Sequence, residues 1–195
     1  MADFQFIMSR ILTLTGASGA GKSSIARELL RLPHVRLVRS VTTRSPRVTD
    51  LAGEYEYLSL DEFKEREQKN AFYWSTPLVH GNRYGTQKTD LDAVLQDPRI
   101  GGYGLMILVP VVIPLIRLYA PGKIDSVYIQ SPPVEDLRWR LTVRGESQDT
   151  LDLRIAECRQ WDVEAEQSGI PYLFIKNNGL LSDTVLQLVE KYVDW

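Results

Sequence analysis

Residues 16–23 read GASGAGKS, which fits the spacing G-x-x-x-x-G-K-[ST]. Glycines at 16, 19 and 21 let the backbone curl so that successive N–H groups point inward at phosphate oxygens. Lys22 supplies a cation for the β- and γ-phosphates, and Ser23 a hydroxyl suited to Mg²⁺. A helix starting at this point adds its positive end to the same anion. The chemistry so defined is the binding of a nucleoside triphosphate by Gly16, Ala17, Ser18, Gly19, Ala20, Gly21, Lys22 and Ser23. It leaves the acceptor of any phosphoryl group unspecified.

Such a loop works only between a strand and a helix, and the flanking residues predict both. ILTLT (11–15) is a short apolar run, and Ile25, Leu29 and Leu32 recur at helical spacing after the loop. VRLVRS (35–40), KIDSVYIQ (123–130) and PYLFI (171–175) read as further strands. Pro133 suits a first helical turn, Val134, Leu137 and Leu141 share a face, and Gly145 suits the stop. Leu151, Ile155 and Cys158 mark the next helix, and SDTVLQLVEKYV a last one. Strands alternating with helices predict an α/β fold, a parallel sheet with helices on both faces. Residues 42–86 break that rhythm with runs such as EYEYLSL and read as a small β-rich insertion.

Composition narrows the class. With 195 residues the chain has room for one core carrying flaps, and a net charge of −2 gives no bias toward nucleic acid or an anionic membrane. One cysteine excludes an internal disulfide, and two scattered histidines, His34 and His80, make no zinc site; both fit a cytoplasmic protein. The opening MADFQFIMSR is a poor signal peptide. The charge-free stretch from Ile100 to Ile116 falls short of the ~20 residues a spanning helix needs and contains Pro110 and Pro114. Within it LMILV (105–109) reads as a buried parallel strand. Cys158, in phase with Leu151 and Ile155, reads as core.

In order and approximate spacing, GASGAGKSS, SVTTRSPR (40–47), GEYEYLSLDEF (53–63), HGNRYGT (80–86), SPPVEDLRWRLTVRG (131–145) and NN (177–178) resemble the guanylate kinases over nearly the whole chain. The resemblance implies a P-loop kinase core (1–41, 87–140 and 155–195), an acceptor-binding insertion (42–86) and a lid (141–154). It implies transfer of the ATP γ-phosphoryl group to GMP or a similar monophosphate, with Mg²⁺, in a monomer or homodimer whose partners are nucleotides. Ser40, Arg44, Arg47, Tyr55, Tyr84 and Thr86 would line the acceptor site, and Ser24 and Asn177 would join the donor site. Arginines suit a phosphate through bidentate bonds, and Pro46 keeps Arg44 and Arg47 on an extended loop. Arg140, Arg144 and Arg154 would close over the transferring group; the other reading of them is a solvated basic face. Asn177 and Asn178 either meet the adenine or form a turn before Gly179, and His80 either touches substrate or is an exposed loop histidine.

Two departures from the family stand out. Its guanine-binding glutamate has no counterpart in FYWSTPLVHGNRYG, where Ser75 or Thr76 falls near the place, so guanine selectivity should be weak unless Glu54 or another acid reaches in. Its strand-end aspartates are replaced by GLMILVPVVIP, with Val109 and Pro110 at the site. Besides a nucleoside-monophosphate kinase, the sequence therefore admits a kinase of a different phosphorylated acceptor, or a catalytically weak binding or interaction module.

Overall fold

The computed structural model describes residues 10–76, 81–96, 102–143, 145 and 147–192. In chain order its elements are β1 (Arg10–Gly16), α1 (Lys22–Leu29), β2 (Val35–Leu37), β3 (Ser40–Thr42), β4 (Tyr55–Tyr57), α2 (Leu60–Gln68), β5 (Phe72–Ser75), β6 (Tyr84–Gln87), α3 (Lys88–Leu95), β7 (Tyr103–Ile107), α4 (Ile113–Tyr119), β8 (Ile124–Gln130), α5 (Val134–Val143), α6 (Gln148–Gln167), β9 (Tyr172–Lys176) and α7 (Leu181–Tyr192). One sheet has the order β2-β7-β1-β8-β9, in which β2 runs parallel to β7 and β8 to β9. A second has the order β4-β3-β6-β5 and is mixed.

Among the described residues the chain packs as two compact units. The first, drawn from 13–29, 107–113 and 125–192, is here termed the loop unit. Its β8 is buried along most of its length, as expected of a parallel strand covered on both faces. The buried hydroxyl of Thr15 donates to Val127 O at 2.8 Å, so the polar residue in this apolar strand is satisfied. The predicted apolar faces of α5 and α6 meet: Leu137, Leu141, Leu151, Ile155 and Cys158 cluster with Ala17 of the glycine-rich loop. Each fully buried leucine or isoleucine there contributes roughly 1.5–3 kcal/mol. Gly145, at φ +85°, ends α5 as expected.

The second unit, drawn from 10–12, 30–106 and 114–124, is the insertion unit. Val41, Leu58, Phe63 and Phe72 form its core, with the two phenylalanine rings 4.7 Å apart. Phe63 comes from α2, a helix that the β-rich reading of residues 42–86 missed. A local signal for it was present: Ser59 and Glu62 form a reciprocal capping box, and Asp61 and Glu62 lie in the positive first turn.

Two strand expectations are corrected. VRLVRS is divided, Val35–Leu37 joining the first sheet and Ser40 opening a strand of the second. The chain has to leave one sheet for the other between them, which no periodicity in six residues reveals. The strand read at 105–109 runs instead from Tyr103 to Ile107, and Pro110, lacking an N–H, opens a 3-10 turn at Pro110–Val112.

Candidate functional site

In the loop unit, β1 delivers the chain to Gly16, whose φ is +134° and where a Cβ would lie 2.2 Å from Ile129 O. Only glycine fits there. Gly21, at φ +101°, leaves room for Asn177, whose Nδ2 would stand 2.0 Å from an added Cβ. Lys22, first residue of α1, donates through Nζ to Gly16 O at 2.8 Å and Ala17 O at 2.7 Å. The ammonium is thus held over the loop, where phosphate oxygens would be drawn to it. Ser23 and Ser24 follow in the first turn of α1.

The loop is braced from outside by two of the expected site residues. Arg140 of α5 donates to Gly19 O at 3.1 Å and to Asn177 O at 3.4 Å. Asn177, just past β9, donates from Nδ2 to Ala20 O at 2.9 Å. Its side chain is therefore engaged with the loop backbone. Arg154 is half-buried on α6, and Arg144 and His80 lie outside the described residues. Burial pushes the Cys158 thiol up to about 11, and with 2% exposure it sits in the core beneath the loop.

In the insertion unit, strand register decides which side chains share a face. Ser40 pairs with Tyr55, Thr42 with Tyr57 and with Tyr84, and Trp74 with Thr86. All of these lie on one face, and each ends in a hydrogen-bonding group. The alternate face carries Val41, Glu56, Gly85 and Ser75 and meets α2: Val41 packs in the Phe63 cluster, Glu56 bonds Arg66, and Ser75 bonds Glu67. One face is thus built for packing and the other for polar contact.

Arg44 stands at the edge of the polar face. Its guanidinium lies 5.0 Å from the Tyr55 ring centroid and grips Asp50 with two bonds, Nη2 to Oδ1 at 2.9 Å and Nη1 to Oδ2 at 3.0 Å. Asp50 Oδ2 also accepts from the Tyr57 hydroxyl and from the Arg47 N–H, both at 2.7 Å. Burial disfavours charge on both partners, but these bonds outweigh it: Asp50 is held below the usual carboxylate range and Arg44 above its ordinary value. The same hydrogen bond contributes to pushing Tyr57 up to about 12, after burial. Glu54 is buried, accepts from the Leu51 N–H at 2.9 Å and from Tyr55, and burial raises its pKa.

The structure thus brings Ser40, Arg44, Tyr55, Tyr84 and Thr86 together, while the Arg47 side chain stays exposed on the loop. Asp50 was missed by the sequence reading, since a lone aspartate six residues after Arg44 has no motif. An acid does reach Ser75, namely Glu67 of α2, but on the packing side of the sheet. Both its oxygens are occupied, by Ser75 and by Arg83 at 2.6 and 2.8 Å, so its pKa is lowered first by the Ser75 bond and then by Arg83. On the polar face, Thr86 Oγ1 and Trp74 Nε1 are buried with no hydrogen-bond partner among the described residues. Each orphan of this kind costs about 1–3 kcal/mol.

A glycine loop between strand and helix, with its lysine over the loop and an arginine from a later helix on its backbone, defines a P-loop kinase fold. The guanylate kinase family model matches residues 8–191. Among relatives, the guanylate kinase of Wolinella succinogenes is 34% identical over 148 residues, 74% of this chain and 67% of that protein. That of Symbiobacterium thermophilum is 32% identical over 190 residues, 91% of this chain and 82% of the relative. The crystal structure of guanylate kinase from Anaplasma phagocytophilum superposes with a TM-score of 0.72 at 20% identity, covering 94% of this chain and 84% of that one, a likeness of fold. The chain belongs to the guanylate kinase family.

For a magnesium ion, which the family likeness implies, the hydroxyl present at the loop would be that of Ser23. Among the described residues no group of three or more His, Cys, Asp or Glu could hold a metal. The strand end after β7 stays apolar, with Leu108 buried and its N–H bonded to Leu14 O at 3.0 Å. This set fits an ion carried in on nucleotide phosphates and completed by water, and not an all-protein cage. No helix among the described residues is long and apolar enough to cross a membrane.

Proposed function

We propose that the chain transfers the γ-phosphoryl group of MgATP to GMP or a similar monophosphate acceptor. The observation that carries this reading is the polar sheet face edged by Arg44, a buried, pre-oriented guanidinium beside tyrosine and hydroxyl donors. In this reading residues 42–86 form the acceptor domain. Arg44, Arg47, Tyr55 and Tyr84 take the phosphate, and Ser40 and Thr86 face the base. Gly16 to Ser24 bind the donor triphosphate, Asn177 and Arg140 keep the loop in shape, and Ser23 ligates the ion that arrives with the nucleotide. Residues 141–154 act as the lid, through which Arg140, Arg144 and Arg154 neutralise the moving charge.

An arriving phosphate has to compete with Asp50 for Arg44, an exchange of one anion for another that needs no new desolvation of the cation. With no acid among residues 108–116, directly after β7, the ion and acceptor depend on phosphate oxygens and arginines for their placement, and turnover is expected to be low. That same apolar strand end supports the second reading, a nucleotide-binding module with little catalysis. A coupled ATP-consumption assay over GMP, dGMP, AMP, UMP and CMP separates the two. Transfer to GMP is expected. No turnover with any acceptor, alongside ATP binding that disappears in Lys22→Ala, would sink the kinase reading.

A further inference from the structure

We propose that α4 is a pairing surface and that its occupant is α4 of a second copy of this chain, laid against it across a two-fold axis parallel to the helices. The residues of α4 are apolar except for Arg117. One side of the helix faces the core: Ile116 is 1% exposed, and Ala120, just past the helix end, is buried with it. The opposite side is also apolar and lies open. Pro114, Leu115, Leu118 and Tyr119 share it at helical spacing, with Leu118 81%, Leu115 49% and Tyr119 41% exposed. A helix apolar all round belongs in an interior, and here one face is left outside it. Such a face marks a contact with another molecule.

The charges at the rim of the stripe specify which molecule. Successive side chains stand about 100° apart around a helix, so Arg117 and Tyr119 lie on the two flanks of Leu118. Arg117 is half-buried and donates through Nη1 to Ile124 O at 2.9 Å, which fixes a cation on the first flank. On the second flank the Tyr119 hydroxyl donates to Asp92 Oδ1 of α3 at 2.9 Å, and Tyr73 of β5 donates to the same oxygen at 2.8 Å, which fixes an anion there. A two-fold axis parallel to the helices turns the second copy so that each cationic flank meets an anionic one, while the uncharged stripes meet between them. The patch is then its own complement, the condition an isologous interface has to satisfy. An axis perpendicular to the helices would set cation against cation. A lipid surface is a poorer match, because an interfacial helix is rich in lysine and arginine on its polar side. This one has a single arginine balanced by an aspartate, in a chain of net charge −2. Seven residues of helix span only about 10 Å, so the contact falls short of the roughly 800 Å² per partner of a standard stable complex. The pairing is therefore weak, with half-association expected on the order of 10–100 μM.

Sedimentation equilibrium of the full-length protein from about 1 μM to about 1 mM tests the pairing, and the mean mass should climb from one chain toward two. Leu118→Glu places two like charges at the centre of the contact and should weaken association by about 10-fold or more. Its circular dichroism and Tm at low concentration should match wild type, because the replaced side chain is 81% exposed. Arg117→Glu makes a copy with two anionic flanks and Asp92→Lys one with two cationic flanks. Each alone should pair about 3- to 10-fold more weakly, and an equimolar mixture should pair at least as tightly as wild type. Should Asp92→Lys not fold, having lost its tyrosine bonds, Leu118→Glu and Arg117→Glu decide between them. A mass of one chain up to about 1 mM overturns the proposal, as does a dimer that Leu118→Glu leaves intact. A dimer lost in Leu118→Glu but unmoved by Arg117→Glu overturns the axis proposed for it. Monomers that bind phosphatidylglycerol vesicles and lose that binding in Leu118→Glu give the stripe to lipid and overturn it too. None of these outcomes depends on whether the chain transfers a phosphoryl group.

Discussion

The loop unit and the insertion unit prepare for an anion by opposite means. In the first, backbone does the work: Gly16 and Gly21 adopt conformations closed to other residues, and Lys22, Arg140 and Asn177 all bond main-chain carbonyls. In the second, a side chain is held by another side chain, Arg44 by Asp50, with Tyr57 and the Arg47 N–H on the same carboxylate. A backbone site is local in sequence and carries its geometry wherever the motif occurs. A charge-paired site depends on residues that meet only through folding, and it titrates.

The largest effect that could separate the two is expected in the loop. Lys22→Ala leaves a loop whose shape rests on glycines and outside braces, so the fold should persist while kcat/KM for ATP falls by about 10²–10³-fold or more. Circular dichroism and steady-state kinetics check this. If the variant unfolds, Lys22 is a structural brace and the contrast between the units weakens. Next in size is Asp50→Asn, which leaves Arg44 buried without its counter-charge and free to take another rotamer. The acceptor KM should rise about 10- to 100-fold with the KM for ATP unchanged. Should both KM values move together, Asp50 is acting on the whole fold and not on Arg44.

The same difference explains which parts of the fold and site are legible in the sequence. The strand, loop and helix of residues 11–32 were legible because a glycine pattern and an apolar period each have a local physical cause. The faces of α5 and α6 were legible for the same reason. Asp50 was not legible as a member of the site, and Glu54 only as an acid that could reach in, since their partners are fixed by a turn whose course the sequence does not specify. Nor was the role of Asn177: its side chain turned to Ala20 across 157 positions, a contact that only the completed sheet can make. The helix α2 was an avoidable omission, because Ser59 and Glu62 spell a capping box in plain sequence.

Titration should divide the insertion unit from within. Asp50 has a lowered pKa in the fold, so its contribution is present above the ordinary carboxylate range and is lost as pH falls through the lowered value. Glu54 has a raised one, so its effect has the opposite sign: stability is greatest below the unfolded pKa and declines as pH climbs to the raised folded value. Relative to wild type, Glu54→Gln should gain in Tm as pH goes from about 4 to 7, because the amide oxygen keeps the Leu51 N–H while shedding the buried charge. Each kcal/mol would appear as about 2–4 °C. Asp50→Asn should show the reverse, a deficit at pH 7 that closes on acidification. Parallel curves for the two variants would mean that neither carboxylate is differentially protonated in the fold.

The smallest effect is the most discriminating for the site. Glu67 bonds Ser75 and grips Arg83 through both oxygens, and this pair is partly exposed, 19% for Arg83 and 35% for Glu67. Arg83 also stacks over Phe63 at 4.9 Å, on the packing side of the sheet. An ion pair so exposed contributes at most about 1 kcal/mol, so Glu67→Gln should lower Tm by only about 2–4 °C. The acceptor KM should stay within about twofold of wild type, because nothing on the polar face depends on the lost charge. Proximity to Ser75 would otherwise suggest that Glu67 replaces the guanine-binding glutamate absent from residues 72–85. A selective rise in the KM for GMP, with that for IMP unchanged, would show that it does, since only GMP carries the 2-amino donor a carboxylate accepts. That outcome would assign base selection to α2 and leave the polar face with the phosphate alone.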